Sequence, residues 1–388
     1  MPRVLLLDTN VSAGPLLQSL LGLGAEVFIA GGNPADVLAR SFPNYVQLDY
    51  SDAEATLKLI DDLGVDFLIP GCNDRSYQTC AEIAERRPFP GIDGLETTRI
   101  INNKAAFRAW AQARGLPVPR TMMMSEAHPG RPVIVKPEEA YSGRGATVLR
   151  SPTPETLAAA QTAACAASRS GKCLIEEFVE GQLYSHTAFV GPSGVLVDVV
   201  VEEHGSANPL AVDTSHVIAA FPPSPLARIR AAVAQICDEL RLDPGLMHTQ
   251  FILDGERVFI IEITRRCPGD LYGLLIELST GLNYAENYVR PFLGLPFRFV
   301  ATAAVPAPIL RHTISAPHHS RFGSLRFLHS LDIERYISLA LSGEDIAPSP
   351  SSRIGLLFAR AKNGEDLAAI KAAALGRRLY DIVPPEVW

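Results

Sequence analysis

The chain has 388 residues, 47% of them hydrophobic, and a formal net charge of −7. This length predicts two or three domains of ordinary size. The negative charge argues against nucleic acid or a polybasic contact with a membrane as partner.

The first stretch, MPRVLLLDTN, has an apolar run too short for a signal peptide or a membrane span. The six cysteines form no CxxC pair and show no His-linked zinc spacing. We therefore expect a cytoplasmic protein whose thiols are reduced.

Short aliphatic strands alternate with helices over the first 95 residues. RVLLLD, EVFIAGG and VDFLIPG have the character of strands, and helices such as DAEATLKLIDDLG separate them. This alternation predicts an α/β domain with a doubly wound parallel sheet. The first turn, DTNVSAGP, lacks the GxGxxG pattern and does not favour a dinucleotide site.

The following segments predict a mixture of helices and strands. RIINNKAAFRAWAQARG is expected to form one long helix, PVIVKP and LIEEFVEG are expected to be strands, and strands dominate from there to residue 262. Residues 203–216 are polar and long for a connection, which indicates a loop that is mobile or faces the substrate. Farther on, LRFLHSLDIERYISLAL predicts a strand and then a helix. The expected domains are 1–95, 96–182, 183–300 and 301–388.

Two lysines and a glycine turn are candidates for binding an anion. Lys136 lies inside the apolar strand VIVKP, where it either meets an anion or extends its ammonium group to the strand edge. Lys104 lies near the start of a helix. SGRG, at residues 142–145, exposes backbone N–H groups that suit phosphate oxygens, although hairpins also use glycine for positive φ alone.

A lone acid, Glu262, stands within the apolar run IIEIT, and Arg266 follows four residues later. A buried carboxylate is costly unless a metal ion or a cation compensates it. A structural ion pair is the simplest explanation of this pattern, and a metal site is the functional one.

Four motifs taken in order resemble the ATP-grasp superfamily, in particular biotin carboxylases, D-alanine-D-alanine ligases and L-amino acid ligases. They are NNKAAF with GLPVPRT, VIVKPEEAYSGRGATVL, LIEEFVEG and HTQFILDGERVFIIEITRRCPG. The resemblance covers roughly residues 1 to 300. It implies a Rossmann-like N-terminal domain, an α+β ATP-grasp fold of two subdomains that clamp ATP, and a small C-terminal α/β subdomain.

The resemblance also implies which residues bind the nucleotide. Lys104 and Lys136 would contact the phosphates of ATP, and the ribose would lie near Tyr184 or His186, since Leu183 occupies the position of the usual acid. The lid that closes over the phosphates would consist of Ser142, Gly143, Arg144 and Gly145. The adenine would lie against the strand that follows. There the side chain of Glu176 and the backbone of Glu177 and Val179 would bind the amino edge of the adenine, and Phe178 would pack nearby.

In the resembled family, two acids bind Mg²⁺ or Mn²⁺ on the last strand pair. Glu262 falls on the second acid, whereas Gln250 replaces the first and Thr264 replaces the usual Asn. Arg266 falls on the arginine that steadies the transferred phosphoryl group. The catalytic set implied is Arg266, Glu262 and Lys136. A less anionic site should either hold its metal more weakly or have lost catalysis.

The substrate contacts are expected near Arg266. Asp270 would hold an amine or merely cap the next helix, and His216 would be a proton acceptor or a solvated loop residue. Arg265 should face away from Arg266 and form an ion pair, because neighbouring residues on a strand alternate faces.

The resemblance implies an ATP-dependent carboxylate-amine ligase that forms an amide through an acyl phosphate and releases ADP and phosphate. Its partners would be a small carboxylate and an amine, with a homodimer left open. One alternative is an ATP-grasp enzyme that uses another nucleophile or stops at phosphoryl transfer. The other, suggested by Gln250 and Thr264, is a nucleotide-binding protein without catalysis.

Overall fold

The computed structural model describes residues 1–140 and 143–385. Within these residues the strands form a four-stranded, a three-stranded and an eight-stranded sheet, together with two two-stranded ribbons. The described helices include none with the length and apolar character that crossing a membrane requires.

The N-terminal sheet is parallel, in the order β3-β2-β1-β4, and confirms the predicted doubly wound domain. β1 is the point at which the strand order reverses, because β2 and β4 flank it on opposite sides. Its residues Val4 to Leu7 are fully buried, as expected for a strand with helices on both faces. The elements are β1 (Arg3–Leu7), α1 (Gly14–Gly22), β2 (Glu26–Gly31), α2 (Val37–Ser41), β3 (Tyr45–Gln47), α3 (Ala53–Leu63), β4 (Phe67–Pro70) and α4 (Asp74–Ala84).

The long helix expected after this domain is broken into α5 (Leu95–Asn102) and α6 (Lys104–Gln112). Asn103 has an extended backbone, and its side chain accepts a hydrogen bond from the N–H of Ala106 at 2.8 Å. Asparagine at this position ends one helix and caps the next. The break puts Lys104 at the first position of α6.

A small antiparallel sheet follows, in the order β6-β5-β7. Val133, Val135 and Ile175 on its strands pack against Leu157 and Ala160 of the helix that covers one face. The elements are β5 (Val133–Pro137), β6 (Thr147–Leu149), α7 (Pro154–Ala167) and β7 (Cys173–Glu177).

The largest sheet has the order β12-β11-β8-β9-β10-β13-β18-β16. Helix α8 covers one face with Ile229, Val233 and Ile236. The elements of the part before residue 300 are β8 (Gln182–Gly191), β9 (Gly194–His204), β10 (Thr214–Val217), α8 (Pro223–Glu239), β11 (Gly245–Asp254), β12 (Arg257–Thr264), α9 (Tyr272–Thr280) and α10 (Tyr284–Val289).

The C-terminal part adds three strands to this sheet and also has a hydrophobic cluster of its own. The expected helix in LDIERYISLAL is the edge strand β16, whose β-branched and aromatic residues suit a strand. The elements are β13 (Ile309–Ile314), β14 (Ser320–Arg321), β15 (Ser324–Phe327), β16 (Asp332–Ser338), β17 (Asp345–Ile346), β18 (Gly355–Arg360), α11 (Gly364–Leu375) and β19 (Tyr380–Val383).

Candidate active site

Lys136 of β5 is held in place by a buried ion pair. Its Nζ lies 2.6 Å from Oε2 of Glu176 on β7, and Nε of Arg108 lies 2.5 Å from the other oxygen, Oε1. Burial alone would raise the pKa of Glu176, but the two cations hold this pKa below its usual value. The Glu176 side chain therefore positions Lys136 and Arg108, which corrects the expectation that it reads adenine.

Arg108 also connects the small sheet to the large one. Gln250 of β11 lies opposite Glu262 of β12, whereas Phe251 lies opposite Ile260, so Ile261 is an extra residue in β12. Such a β-bulge disturbs the ladder of hydrogen bonds and re-aims nearby side chains. Arg108 donates to the carbonyl oxygens of Ile260 and Ile261, both at 2.9 Å. The bulge next to Glu262 is thus satisfied by the arginine that also holds Glu176.

Lys104 extends from the start of α6 toward Glu262. Its Nζ donates to the carbonyl oxygen of Ala140 at 3.0 Å and lies 3.8 Å from Oε1 of Glu262. The Glu262 side chain keeps 35% of its surface exposed. The two charges attract each other without a tight contact, which leaves oxygen and ammonium able to meet a ligand.

Gln250 and Glu262 form the pair expected to bind a metal. They face each other across β11 and β12 as directly paired residues. The amide Nε2 of Gln250 donates to Oε2 of Glu203 on β9 at 2.7 Å, so its carbonyl Oε1 points away from Glu203. The hydroxyl of Ser185 donates to Oε1 of Glu203 at 3.0 Å. Glu203 was not among the candidates from the sequence.

These residues fit a hard divalent cation. Glu262 offers a carboxylate and Gln250 a carbonyl oxygen, the ligand types that Mg²⁺ prefers. Within residues 1–140 and 143–385, no three His, Cys, Asp or Glu side chains form a ready-made metal cage. Mg²⁺ commonly takes one or two protein carboxylates and completes its shell with phosphate and water oxygens. The donor set is therefore that of a metal bound together with a nucleotide.

Arg266 meets an acid from the N-terminal domain. Its Nε donates to Oδ1 of Asp74, the first residue of α4, at 2.7 Å. The hydroxyl of Thr264 lies 3.5 Å from the same oxygen and accepts the N–H of Arg266 at 3.3 Å. Burial would lower the pKa of Arg266, but Asp74 and Glu262 raise it above its usual value, so the guanidinium is charged. Arg265 turns away and pairs with buried Asp93 at 2.7 Å, as expected.

Asp270 lies between two arginines of the C-terminal part. Nη1 of Arg353 donates to its Oδ1, and Nη1 of Arg311 donates to its backbone oxygen at 3.1 Å. Arg311 is almost fully buried and also donates to the hydroxyl of Ser215 at 2.9 Å. Asp270 and Leu271 both have φ near 54°, a strained conformation for residues other than glycine. Asp270 is thus an ion-pair residue beside the site.

The glycines of the lid allow close approaches on both sides. At Gly143, with φ of 66°, a Cβ would come within 2.6 Å of the carbonyl oxygen of Leu210, in the loop that was expected to be mobile or to face the substrate. At Gly145 a Cβ would meet Ala167 of α7 at 2.5 Å. Ser142 falls outside the described residues. Phosphate binding by Gly143, Arg144 and Gly145 stays a prediction.

The segment after Glu176 is fixed by backbone contacts. The N–H of Glu177 donates to the carbonyl oxygen of Arg120 at 2.9 Å, and the N–H of Phe178 donates to that of Pro132 at 3.0 Å. The guanidinium of Arg150 lies over the Phe178 ring, 5.5 Å from its centre. Adenine recognition by the backbone of Glu177 and Val179 in this segment stays a prediction.

Two predicted contacts lie on the wrong face of the large sheet. Tyr184 packs between Phe221 and Phe251, with ring centres 5.1 and 5.7 Å away, in the core under α8. Its neighbour Ser185 faces Gln250 instead, because side chains alternate along a strand. Tyr184 is therefore not a ribose contact. His186, on the same face as Tyr184, pairs with Asp198 at 2.8 Å.

His216 is likewise turned away from the candidate site. Its Nε2 lies 4.0 Å from Oε2 of Glu202, which also binds Lys371 of α11. Burial lowers the pKa of His216 to about 4, so it is neutral at physiological pH. Ser215 and Glu203 form the pair on the site face, and the prediction that His216 contacts substrate is wrong.

Sequence reasoning missed two acids for which a signal existed. Glu203 ends the apolar strand VLVDVVVEE, the same pattern that drew attention to Glu262. Asp74 follows β4 at the point where the parallel strand order reverses, which is the usual ligand edge of such a sheet. Arg108 and Arg311 gave no such signal, because their partners are distant in the sequence.

Comparisons with known proteins identify the family and the fold. The sequence model of the ATP-grasp domain family matches residues 130–272 of this chain. The formate-dependent phosphoribosylglycinamide formyltransferase of Parasynechococcus marenigrum (strain WH8102) is 30% identical in an alignment of 393 positions that covers 96% of this chain and 95% of the relative. The chain belongs to the ATP-grasp family.

Two solved structures share the fold over nearly the whole chain. The L-amino acid ligase from Bacillus licheniformis superposes with a TM-score of 0.79 at 16% identity, covering 100% of this chain and 99% of that one. The biotin carboxylase domain of the 2-oxoglutarate carboxylase from Hydrogenobacter thermophilus, a dimer with MgADP and bicarbonate, gives 0.75 at 17% identity over 98% and 90%. These similarities confirm the predicted fold class.

The class of enzyme follows from the family and its relatives. The chain is an ADP-forming ATP-grasp enzyme. Its relatives are named for small-molecule substrates. Family membership at this level of identity also disfavours the alternative of a nucleotide-binding protein without catalysis.

Proposed function

We propose that ATP binds with its phosphates between Lys136, Lys104 and Arg266, and with its terminal phosphoryl group beside Glu262. One observation carries this assignment: the partly exposed carboxylate of Glu262 has Lys104 at 3.8 Å and lies close enough to Arg266 to raise its pKa. Two cations around one open carboxylate suit a metal-bound phosphate. A structural ion pair would instead bring carboxylate and cation into direct contact.

Each cation has a separate supporting contact. Glu176 fixes the Lys136 ammonium group before the nucleotide arrives, which reduces the entropy lost on binding. Asp74 binds the Nε side of Arg266, so the Nη groups are the ones able to donate to a phosphoryl oxygen. Mg²⁺, when bound, would neutralise charge on the β and γ phosphates.

The reaction proposed for these residues has two steps. An oxygen of the substrate carboxylate attacks the γ phosphorus of ATP, and ADP leaves with the electrons of the broken bond. The amine then attacks the carbonyl carbon of the acyl phosphate, loses a proton, and inorganic phosphate leaves. Arg266 donates hydrogen bonds to the phosphoryl group in both steps, and the lid at residues 143–145 excludes water.

The substrates of the relatives supply the first pair to test. Formate and phosphoribosylglycinamide are named for the relative at 30% identity, and we propose a small acid and a primary amine of this kind. An α-amino acid is the second candidate, because Asp270 lies between Arg311 and Arg353 beside the site. Paired acids and arginines suit a zwitterion, whose two charges need opposite partners.

A phosphate-release screen tests the proposal. Formate, other small carboxylates and amino acids are crossed with phosphoribosylglycinamide, amino acids and simple amines, and products are identified by mass. Phosphate and ADP in equal amounts, formed only when both acid and amine are present, are the expected result. A phosphorylated acid or amine without amide would instead indicate an enzyme that stops at phosphoryl transfer.

Two further predictions concern the state of the protein. The six cysteines are free thiols, in agreement with a reducing, cytoplasmic location, which fractionation of cells would test. A homodimer like that of the biotin carboxylase domain above is the open alternative to a monomer, and light scattering of the purified chain would distinguish the two.

A further inference from the structure

Glu203 is a buried acid that the proposed reaction has not used. It is 3% exposed and lies on the face of the large sheet that carries Gln250. A carboxylate buried in this way is costly, so its presence calls for a compensating role. Both of its oxygens are occupied: Ser185 donates to Oε1 at 3.0 Å and Gln250 donates to Oε2 at 2.7 Å.

The contact with Gln250 determines the orientation of the amide. Only the NH₂ end of a glutamine can donate to a carboxylate, so Oε1 of Gln250 must point away from Glu203. Glu262 is the residue directly opposite Gln250 on β12. The carbonyl oxygen is therefore presented on the side where the carboxylate of Glu262 stands. Without Glu203, either end of the amide could face the metal position, and the NH₂ end would repel a cation.

The charge count leads to the same residue. Two acids on paired strands would give the metal position a charge of −2, whereas Glu262 with neutral Gln250 gives only −1. Glu203, one hydrogen bond behind Gln250, brings a second acid to this position; burial raises the pKa of Glu203, and the nearby charge of Arg311 opposes that rise. Because its own oxygens are engaged by Ser185 and Gln250, it acts from behind the amide rather than as a direct ligand.

We propose that Glu203 is a positioning residue of the divalent cation site, which directs the carbonyl oxygen of Gln250 toward the metal and supplies the second negative charge. This inference rests on the proposed function, in which Glu262 and Gln250 bind the metal of the nucleotide. Acidic partners behind metal ligands commonly orient them and strengthen their binding.

The test measures how Mg²⁺ changes the affinity for ADP, by calorimetry at a series of Mg²⁺ concentrations. Glu203→Gln is expected to weaken the Mg²⁺ dependence about 10- to 100-fold, the usual effect of losing such a partner. The double variant Glu203→Gln with Gln250→Glu exchanges acid and amide. It keeps both the hydrogen bond and the charge, and should bind Mg²⁺ at least as well as the native chain.

Glu277→Gln is the matched control, because it removes one half-buried carboxylate, bound to the N–H of Ala285, from a helix outside the site. It should leave the Mg²⁺ dependence as in the native chain. Thermal unfolding of each variant shows whether it is folded. If Glu203→Gln does not fold, the double variant decides alone: native or tighter Mg²⁺ binding supports the inference, and weaker binding overturns it.

The outcomes separate this inference from the proposed function. If ADP binding to the native chain does not respond to Mg²⁺, the proposed metal site itself is wrong. If the native chain responds and folded Glu203→Gln responds equally, the metal site stands and the role of Glu203 is overturned. A double variant as weak as Glu203→Gln would also overturn it.

Discussion

Glu176 and Glu262 are two acids near the same nucleotide cleft, and the fold treats them in opposite ways. Glu176 is 1% exposed and has a cation on each oxygen, at 2.5 and 2.6 Å. Glu262 keeps 35% of its side chain exposed, and its nearest cation is 3.8 Å away. Both oxygens of Glu176 are therefore occupied and can only hold its cations in place, whereas the carboxylate of Glu262 can still bind a ligand. The exposure of an acid and the number of its contacts with cations, more than its residue type, distinguish a structural residue from a ligand-binding one.

Arg108 connects the two acids through hydrogen bonds. It binds Glu176 on one side and the bulge carbonyls of Ile260 and Ile261 on the other. The position of Glu262, one residue beyond the bulge, is thereby fixed to the sheet that carries Lys136. The contacts of Glu176 and Arg108 thus set the distance between Lys136 and Glu262, across which a triphosphate would bind.

The largest expected effect on stability comes from breaking the buried ion pairs of Glu176 with Lys136 and Arg108. Glu176→Gln would leave Lys136 and Arg108 buried without their counter-ion, and breaking a buried pair in this way costs about 3–5 kcal/mol. Urea denaturation should show this loss in the free energy of unfolding. Glu239→Gln, which breaks the more exposed pair with Arg114, should cost at most about 1 kcal/mol. Equal losses in the two variants would refute the distinction.

Neighbouring arginines allow the second comparison. Arg266→Ala removes the phosphoryl contact and should lower kcat about 100- to 1000-fold, with ADP affinity and stability little changed. Arg265→Ala breaks the buried pair with Asp93 and should destabilise the chain by about 3–5 kcal/mol. Kinetics and unfolding measured on both variants should give opposite patterns. A stable, fully active Arg266→Ala would remove this residue from the mechanism.

Glu262→Gln probes the open acid. It should weaken the Mg²⁺ dependence of ADP binding by at least about 10-fold, because a metal ligand loses its charge. The melting temperature should stay close to that of the native chain, since the side chain is partly exposed. A large fall in melting temperature with unchanged Mg²⁺ dependence would make Glu262 a structural residue like Glu176.

The smallest expected effect concerns the helix break before Lys104. Asn103→Ala removes the cap of α6 and should cost about 1 kcal/mol of stability. Because Lys104 is the next residue, the KM for ATP should also rise. Thr153→Ala removes the cap of α7 and serves as the control, with a similar loss of stability and no change in this KM. Equal KM values in both variants would contradict the link between cap and lysine.

Local patterns predicted much of this molecule. The aliphatic runs of β1, β2 and β4 indicated the parallel sheet, and the order of motifs indicated the family. Gln250 was predicted to stand in the metal position, and the structure places it opposite Glu262. The parallel sheet could be predicted from residues close together in the chain, and the family and the metal position from the order of motifs along it.

What the sequence could not predict depends on distant partners and on strand register. Arg266 and Asp74 are 192 residues apart, and Arg108 and Glu176 are 68 apart. Tyr184 was assigned to the wrong face because a shift of one residue in a strand reverses every side chain. The pairing of β8 with β11, in which Ser185 lies opposite Gln250, fixes that register.

A crystal structure with Mg²⁺ and a non-hydrolysable ATP analogue tests the central claim most directly. We predict the terminal phosphoryl group between Glu262 and Arg266, with Lys136 on the phosphates and the cation on Glu262 and the carbonyl oxygen of Gln250. An analogue bound elsewhere, or bound with Glu262 and Arg266 both out of contact with it, would contradict the account.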